Sequence, residues 1–531
     1  MKITSSKLIL ITSVFLMLFG NLTFVKNILK VYPIGFDNNI FLVSLIILFI
    51  CINVIIFSLV CFNRTLKPIL ILILLASSFA AYFMDTYHVV IDGFMIDNII
   101  KTDKNEALDL LSLKQAIYFL LLGVLPSFFI YKANIIQTSF KKSVLSNFIL
   151  FSGALLLSIA LILSMSSFYA SFFREHKPLR FYANPSYYIY SSIKYINGLF
   201  KSSSTALKPI ALDAKIVSDN KYRKLIVFVV GETARADHFS LNGYNRKTNP
   251  LLEKENILNF DNVWSCGTST AHSVPCMFSI YGRSDFSKIK GVSTENLLDL
   301  LKRVGVNVLW LDNNSSSKGV ADRIGEIDYK SPSINPICDI ECRDEGMLAN
   351  LQSYINSHPT GDIFIVLHQM GNHGPAYFKR YPKAFEKFTP ICETNQLEQC
   401  TQKEIINTYD NALLYTDYFL SKTIKLLKTN DNQFETTLFY VSDHGESLGE
   451  NNLYLHGLPY MIAPDEQIHV PMIMWFGNRF EKSEMNITEF KQQSHKKLSH
   501  DNIFHTLLGL MEIESKVYDK NMDIIGYKND N

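Results

Sequence analysis

The sequence predicts two structural halves: a membrane domain of five helices, then an α/β layered domain built on a mainly parallel sheet. Three observations predict it. Apolar residues make up 48% of the 531 and pile up before about Phe173. From about Asp213 short β-branched runs alternate with helical stretches, the pattern of a layered α/β fold. Six of the eight cysteines fall into near-neighbour pairs within that second half. The net charge of +2, with no basic run and no glycine-rich dinucleotide fingerprint, argues against a nucleic-acid partner.

In the first half, Leu8–Val25, Ile40–Phe62, Ile69–Phe83, Ala116–Tyr131 and Phe148–Phe172 are apolar runs. A spanning helix needs about 20 such residues, so the third and fourth require their flanks. Residues 1–172 are therefore read as the transmembrane domain. Lys2 and Lys7, Arg64 and Lys67, and Lys132, Lys141 and Lys142 share one side, which is expected to be the cytoplasm. Five crossings then carry everything after about Phe173 out of it. Loop 84–115 lies on that outer side and carries Asn98, Thr102 and Glu106 at intervals of four, one face of a helix. Such a stripe suits either a lipid headgroup or plain solvation. Residues 173–212, rich in tyrosine and then in serine, read as an interfacial bridge and linker, because tyrosines gather at membrane–water boundaries.

The second half, 213–531, has short apolar runs suited to buried parallel strands: Leu225–Val230, Val306–Leu311, Ile363–Leu367, Thr437–Val441 and Met472–Phe476. Helices are expected over Glu295–Val304, capped by Ser293 or Thr294, and from the capping box Thr401–Glu404 to about Lys428. The cysteines pair most simply as Cys266/Cys276, Cys338/Cys342 and Cys392/Cys400. None has the Cys-x-x-Cys spacing of a zinc site, so disulfides in an oxidising compartment are expected.

Functional groups in parallel sheets sit just past the carboxyl ends of strands. That rule selects Glu232, His368, His373, Asp443 and His444, with His456 following. Glu232, Asp443, His444 and one hydroxyl oxygen would make a tetrahedral zinc set. The stretch Trp264–Phe278 offers Thr268, Ser269 and Thr270 between Cys266 and Cys276. A hydroxyl is a poor nucleophile until a base or metal activates it, and the strand-end groups supply such an activator.

Gly231–Arg235, Ser265–Cys276, Asp312–Ser315 with Lys318, Asn372–Pro375 and Ser442–Glu446 together resemble the lipid A phosphoethanolamine transferases of the colistin-resistance type. These belong to the alkaline phosphatase-like superfamily, and the likeness implies helices on both faces of the sheet. It implies that Thr270 is the nucleophile and that Glu232, Asp443, His444 and Thr270 hold one tightly bound Zn²⁺. It implies that His373 and His456 bind a second, more labile zinc or the substrate phosphate. Ser315 and Lys318, and the stripe Asn98, Thr102 and Glu106, match substrate-binding positions. One departure stands out: Cys338 and Cys342 enclose a shorter loop than the better-known members have.

The implied reaction moves phosphoethanolamine from phosphatidylethanolamine to a phosphate of lipid A through a covalent phosphothreonine, giving polymyxin resistance. The implied setting is the bacterial inner membrane with the catalytic domain in the periplasm, acting as a monomer. Transfer to a core sugar or another envelope glycan, transfer of phosphoglycerol, and a non-catalytic membrane-anchored metal protein are the competing readings.

Overall fold

The computed structural model describes residues 2–36, 38–101, 107–108, 110–174, 176–202, 206–217, 222–482 and 494–526. It divides into two compact units, Met1–Ile96 with Leu111–Ile196, and Asp97–Leu110 with Asn197–Asn531.

The first unit is helical. Its helices include α1 Ser5–Phe19, α2 Leu22–Val31, α3 Asn39–Val60, α4 Leu66–Tyr87, α5 Leu113–Lys132 and α6 Phe140–Ser164. Among the described residues α3 to α6 are each long and apolar enough to cross a membrane. The run Leu8–Val25 is divided between α1 and α2, a pair bent by 61° that counts as a fifth span if taken together. The bend has a local cause. The Asn21 side chain donates to Leu16 O at 2.9 Å and to Asn184 O at 2.6 Å, and accepts from Asn184 N at 2.8 Å. Backbone groups freed at the break are thereby satisfied, as an apolar medium demands. The run expected over Phe148–Phe172 begins earlier and stops at Ser164, where a separate helix, Ser166–Arg174, takes over.

The second unit contains eight strands in one sheet: β1 Arg223–Gly231, β2 Ile257–Trp264, β3 Asn307–Asp312, β4 Ile327–Asp328, β5 Ile363–His368, β6 Phe434–Ser442, β7 His469–Phe476 and β8 Leu498–Ser499. Their spatial order is β8-β2-β7-β6-β1-β5-β3-β4. Strand pairs from β6 across to β4 are parallel, as is β8 with β2, whereas β7 runs antiparallel to both neighbours. The sheet is therefore mixed, and the expectation that Met472–Phe476 is a parallel strand is corrected. The link from β6 to β7 folds as a small hairpin, Ser447–Leu448 with Tyr454–Leu455, a 3-10 turn and the four-residue helix Asp465–Ile468, so it holds no helix long enough to carry the chain back across a face of the sheet for a parallel return. The chain stays at one edge and re-enters the sheet in reverse. β2 escaped the sequence reading because its burial alternates and no continuous apolar run marks it.

β1 shows how the sheet is held. Ile226, Phe228 and Val230 enter one hydrophobic core, while Leu225, Val227 and Val229 enter the other. Period-two alternation in a fully buried strand requires cover on both faces. Helices α7 Thr270–Met277, α8 Leu297–Arg303 and α10 Ile503–Leu510 cover the first face. Helix α9 Gln402–Asn430 covers the second with Ile405, Leu413, Leu420, Ile424 and Leu427. Its expected capping box is present, with Glu404 N donating to Thr401 Oγ1 and Thr401 N to the Glu404 carboxylate. The cap of α8 is Asn296, paired with Asp299, rather than Ser293 or Thr294. Three hydrogen-bonded parallel strands, β6, β1 and β5, thus deliver their carboxyl ends to one edge of a rigid sheet.

Candidate active site and metal centre

Glu232 follows β1, Asp443 and His444 follow β6, and Thr270 opens α7; all four are buried. Glu232, Asp443 and His444 present ligand atoms within 4.8 Å of one another. Thr270 Oγ1 donates to Glu232 Oε2 at 3.0 Å and lies 3.3 Å from His444 Nε2. His444 Nδ1 donates to Gly445 O at 2.9 Å, which leaves the Nε2 lone pair facing the cluster. A histidine anchored through its other nitrogen is the arrangement metal ligands adopt.

The donor set fits a cation. Glu232 Oε1 and Asp443 Oδ2 are buried with no hydrogen-bond partner, a costly state unless a charge lies between them. Burial and the neighbouring Glu232 charge push the Asp443 carboxyl up to about 7. Burial opposes charging of His444, but Asp443 and Glu232 overcome it and lift the imidazole to about 10. The Glu232 carboxylate raises the proton affinity of both Asp443 and His444, so the cluster calls for a positive charge. Glu232, Asp443, His444 and the Thr270 oxygen together supply three oxygens and one nitrogen, the donor set of a tetrahedral zinc site.

The loop that carries Thr270 is fixed from several directions. Cys266 and Cys276 are bonded and tie the loop to the far end of α7. Thr268 Oγ1 donates to Leu458 O at 2.7 Å, so that hydroxyl is already engaged away from the cluster. Ser273 Oγ donates to Asp443 O at 2.5 Å. A Cβ on Gly267 would lie 2.7 Å from His272 Cδ2, so only glycine lets the loop fold this tightly. Thr270 stands at the first position of an eight-residue helix, where free N–H groups and the helix dipole favour an anion such as phosphate.

His456 and His373 lie beside this cluster, with ring centroids 4.2 Å between His444 and His456 and 5.8 Å between His373 and His456. His456 Nδ1 donates to Thr268 O at 3.0 Å. Burial, then the nearby His444 and His373, pushes His456 down to about 3, a neutral imidazole with a free Nε2. Lys318 Nζ donates to Ser315 O at 2.8 Å and to Ser315 Oγ at 2.5 Å, so these two expected positions form one unit. Thr233, Ser316, Lys318 and Leu455 all have positive φ. Non-glycine residues held there store strain, which gathers at functional sites. Asn98 lies on the helix Gly93–Lys101. Thr102 and Glu106 lie outside the described residues. Cys338 is bonded to Cys342 and Cys392 to Cys400, while Cys51 and Cys61 remain free and buried in the first unit.

Sequence reading assigned no role to three groups that the fold brings in. Asn314 Nδ2 donates to Glu232 Oε2 at 2.8 Å and to Gln369 O at 2.7 Å, which orients the carboxylate. His500 accepts from Cys266 N at 3.0 Å through Nδ1 and donates from Nε2 to Ser442 O at 3.0 Å, so it bolts the Thr270 loop to the end of β6. Glu446 is fully buried with both carboxylate oxygens unpartnered, and burial pushes it up to about 8 against the pull of His373 and His444. Only the motif Asp443–Glu446 signalled Glu446, and nothing local signals His500.

Comparison with known proteins agrees with this geometry. The Sulfatase family model matches residues 224–513, and the model for phosphoethanolamine transferase EptA/EptB matches residues 49–199. Phosphatidylethanolamine transferase Mcr-2 of Escherichia coli is 44% identical over 523 residues, covering 96% of each chain. Phosphoethanolamine transferase EptA of Escherichia coli strain K12 is 41% identical over 520 residues, covering 95% of this chain and 93% of its own. The solved integral membrane lipooligosaccharide phosphoethanolamine transferase A of Neisseria meningitidis superposes with a TM-score of 0.94 at 36% identity, covering 99% of each chain. With its apolar helices, its mixed α/β sheet and its clustered strand-end ligands, the chain belongs to the phosphoethanolamine transferase family and is an enzyme of that class.

Proposed function

We propose that the enzyme takes phosphoethanolamine from phosphatidylethanolamine onto Thr270 and passes it to a phosphate of lipid A, thereby conferring polymyxin resistance. It is a multi-pass protein of the bacterial inner membrane with its catalytic domain in the periplasm. The observation that carries the reading is Thr270 Oγ1, 3.0 Å from Glu232 Oε2 and 3.3 Å from His444 Nε2, beside two unpartnered carboxylate oxygens. Glu232, Asp443, His444 and Thr270 would hold one zinc ion. Bound there, zinc lowers the pKa of a coordinated hydroxyl and offsets the charge of a phosphate.

The chain's own groups do the rest. Glu232 orients the Thr270 hydroxyl through the hydrogen bond it accepts. The Thr270 oxygen attacks phosphorus, the bond to the diacylglycerol oxygen breaks, and that oxygen leaves with the electron pair and takes up a proton. His456, held neutral with Nε2 free, and His373 flank the path for that proton or bind a second ion or the phosphate itself. Lys318 and Ser315 are assigned to the phosphoryl oxygens, where a cation stabilises developing charge. In the second displacement an acceptor phosphate oxygen attacks the same phosphorus, and the Thr270 oxygen departs with its electron pair. The stripe Asn98, Thr102 and Glu106 is assigned to the lipid headgroup.

Mass spectrometry of lipid A from cells with and without the protein tests the acceptor. Added phosphoethanolamine on lipid A is expected, and its absence redirects the reading to a core sugar or another glycan. The Thr270→Ala variant tests the nucleophile: persistent transfer by that variant removes Thr270 from the mechanism.

A further inference from the structure

Two carboxylates of the segment Cys338–Asp344 hold the loop that bears His373. Asp344 is buried and accepts hydrogen bonds on both of its oxygens. Met370 N donates to Oδ1 at 2.8 Å and Gly371 N to Oδ2 at 3.1 Å. Asn313 Nδ2 donates to Oδ1 at 2.8 Å and Gln369 Nε2 to Oδ2 at 3.3 Å. All of these partners are donors, so the position calls for a group with two acceptor oxygens. Glu341 acts from the other side of the loop. It pairs with Arg380, whose Nε donates to His373 O at 2.6 Å.

The segment is itself anchored. The Cys338–Cys342 bond closes the turn that carries Glu341, and the buried Arg343 bridges Asp339 and Glu341. Asn313, just past the end of β3, donates from one amide nitrogen to Cys342 O at 3.0 Å and to Asp344. The loop it holds is irregular backbone pressed against a metal-site residue. Gly371 has φ of 52°, and a Cβ there would lie 2.9 Å from Glu232 O. Asn372 N donates to that same Glu232 O at 3.1 Å. Buried N–H groups outside helices and sheets must find acceptors elsewhere, and bonds to an ionised acceptor are about twice as strong as neutral ones.

Resting on the transferase reading above, we infer that the segment Cys338–Asp344 is a brace for His373, with Asp344 as its positioning residue. Asp344 fixes the backbone of Met370 and Gly371. Glu341, through Arg380, fixes the carbonyl of His373 itself. The Cys338–Cys342 bond holds the turn from which both carboxylates reach. The His373 ring is thereby kept beside His456, their centroids 5.8 Å apart.

The test is a double-mutant cycle in the full-length enzyme, assayed in vesicles of phosphatidylethanolamine with lipid A as acceptor. Asp344→Asn replaces one acceptor oxygen by an amino group facing donors. It is expected to lower kcat/KM for transfer about 10- to 100-fold, the range for groups that orient a ligand from behind, and to retain the tightly bound zinc. The combined variant Asp344→Asn, His373→Ala is expected to be no slower than His373→Ala alone, because Asp344 then has no ring left to position. A merely structural role would not produce that coincidence. Glu341→Gln, at a partly exposed site, is expected to give a smaller fall with the same non-additivity, and it carries the cycle if Asp344→Asn does not fold. Losses that multiply when either substitution is combined with His373→Ala overturn the brace. Wild-type transfer in both single variants overturns it too, as does loss of the tight zinc from Asp344→Asn, since the carboxylate would then act through Glu232. If His373→Ala keeps wild-type transfer, the role of His373 fails and the brace with it. If the wild-type enzyme gives no transfer, the transferase reading itself fails and the brace falls with it.

Discussion

Asn314 offers the sharpest quantitative test of the metal centre. Its side chain is buried and donates to Glu232 Oε2 at 2.8 Å, the same oxygen that accepts from Thr270. Replacing it by alanine removes a donor to a charged group. Such a bond contributes about 1.5–3 kcal/mol, and each tenfold change corresponds to about 1.4 kcal/mol. Zinc affinity is therefore expected to fall about 10- to 150-fold in Asn314→Ala, the range seen when groups behind metal ligands are removed. The assay is competition for zinc between the purified enzyme and a chromophoric chelator, with thermal unfolding run alongside. Transfer activity at limiting zinc should fall in proportion, and excess zinc should recover part of it. A variant with wild-type unfolding, wild-type zinc affinity and wild-type transfer would refute the claim that Asn314 holds Glu232 in its ligating orientation.

Two more predictions follow from the catalytic unit. The Cys266–Cys276 bond closes a separation of ten residues, so the double serine variant is expected to lose about 3 kcal/mol of stability; an unfolding midpoint equal to that of the oxidised enzyme would contradict this. Burial, opposed by hydrogen bonds from Leu252 N and Leu251 N, pushes Asp417 up to about 7 from an ordinary 3.8. The folded state then binds the proton more tightly than the unfolded state, so stability present below pH 4 is lost as pH rises towards 7, by at most about 4 kcal/mol. Asp417→Asn should flatten that decline in denaturant titrations across the window, and an unchanged slope would show that Asp417 stays charged.

The strand-end rule picked out Glu232, Asp443 and His444, which the fold brings together, because parallel strands announce themselves as short apolar runs and their ends as glycine-flanked polar groups. It failed for β2, whose alternating burial leaves no run, and for β7, whose apolar run carries no mark of direction. The run Leu8–Val25 reads as continuous because hydropathy averages over Gly20 and Asn21. The break depends on Asn184, which reaches Asn21 from far along the chain. Asn314 stood inside a quoted motif without a role, since only the folded loop aims its amide at Glu232.

By itself the sequence determined the membrane half, the layered α/β half, the local cysteine pairs and the carboxylate and imidazole residue types at the strand ends. Those features reside in composition, short-range periodicity and neighbour spacing. Only the tertiary structure decided among the hydroxyls between Cys266 and Cys276 on physical grounds. Thr268 spends its hydrogen on Leu458 O, while Thr270 meets Glu232 and His444. It also revealed His500 as the bolt between the loop and β6. The reason is that hydrogen bonds and charge clusters join residues distant in the chain, and no local pattern encodes which of them will meet.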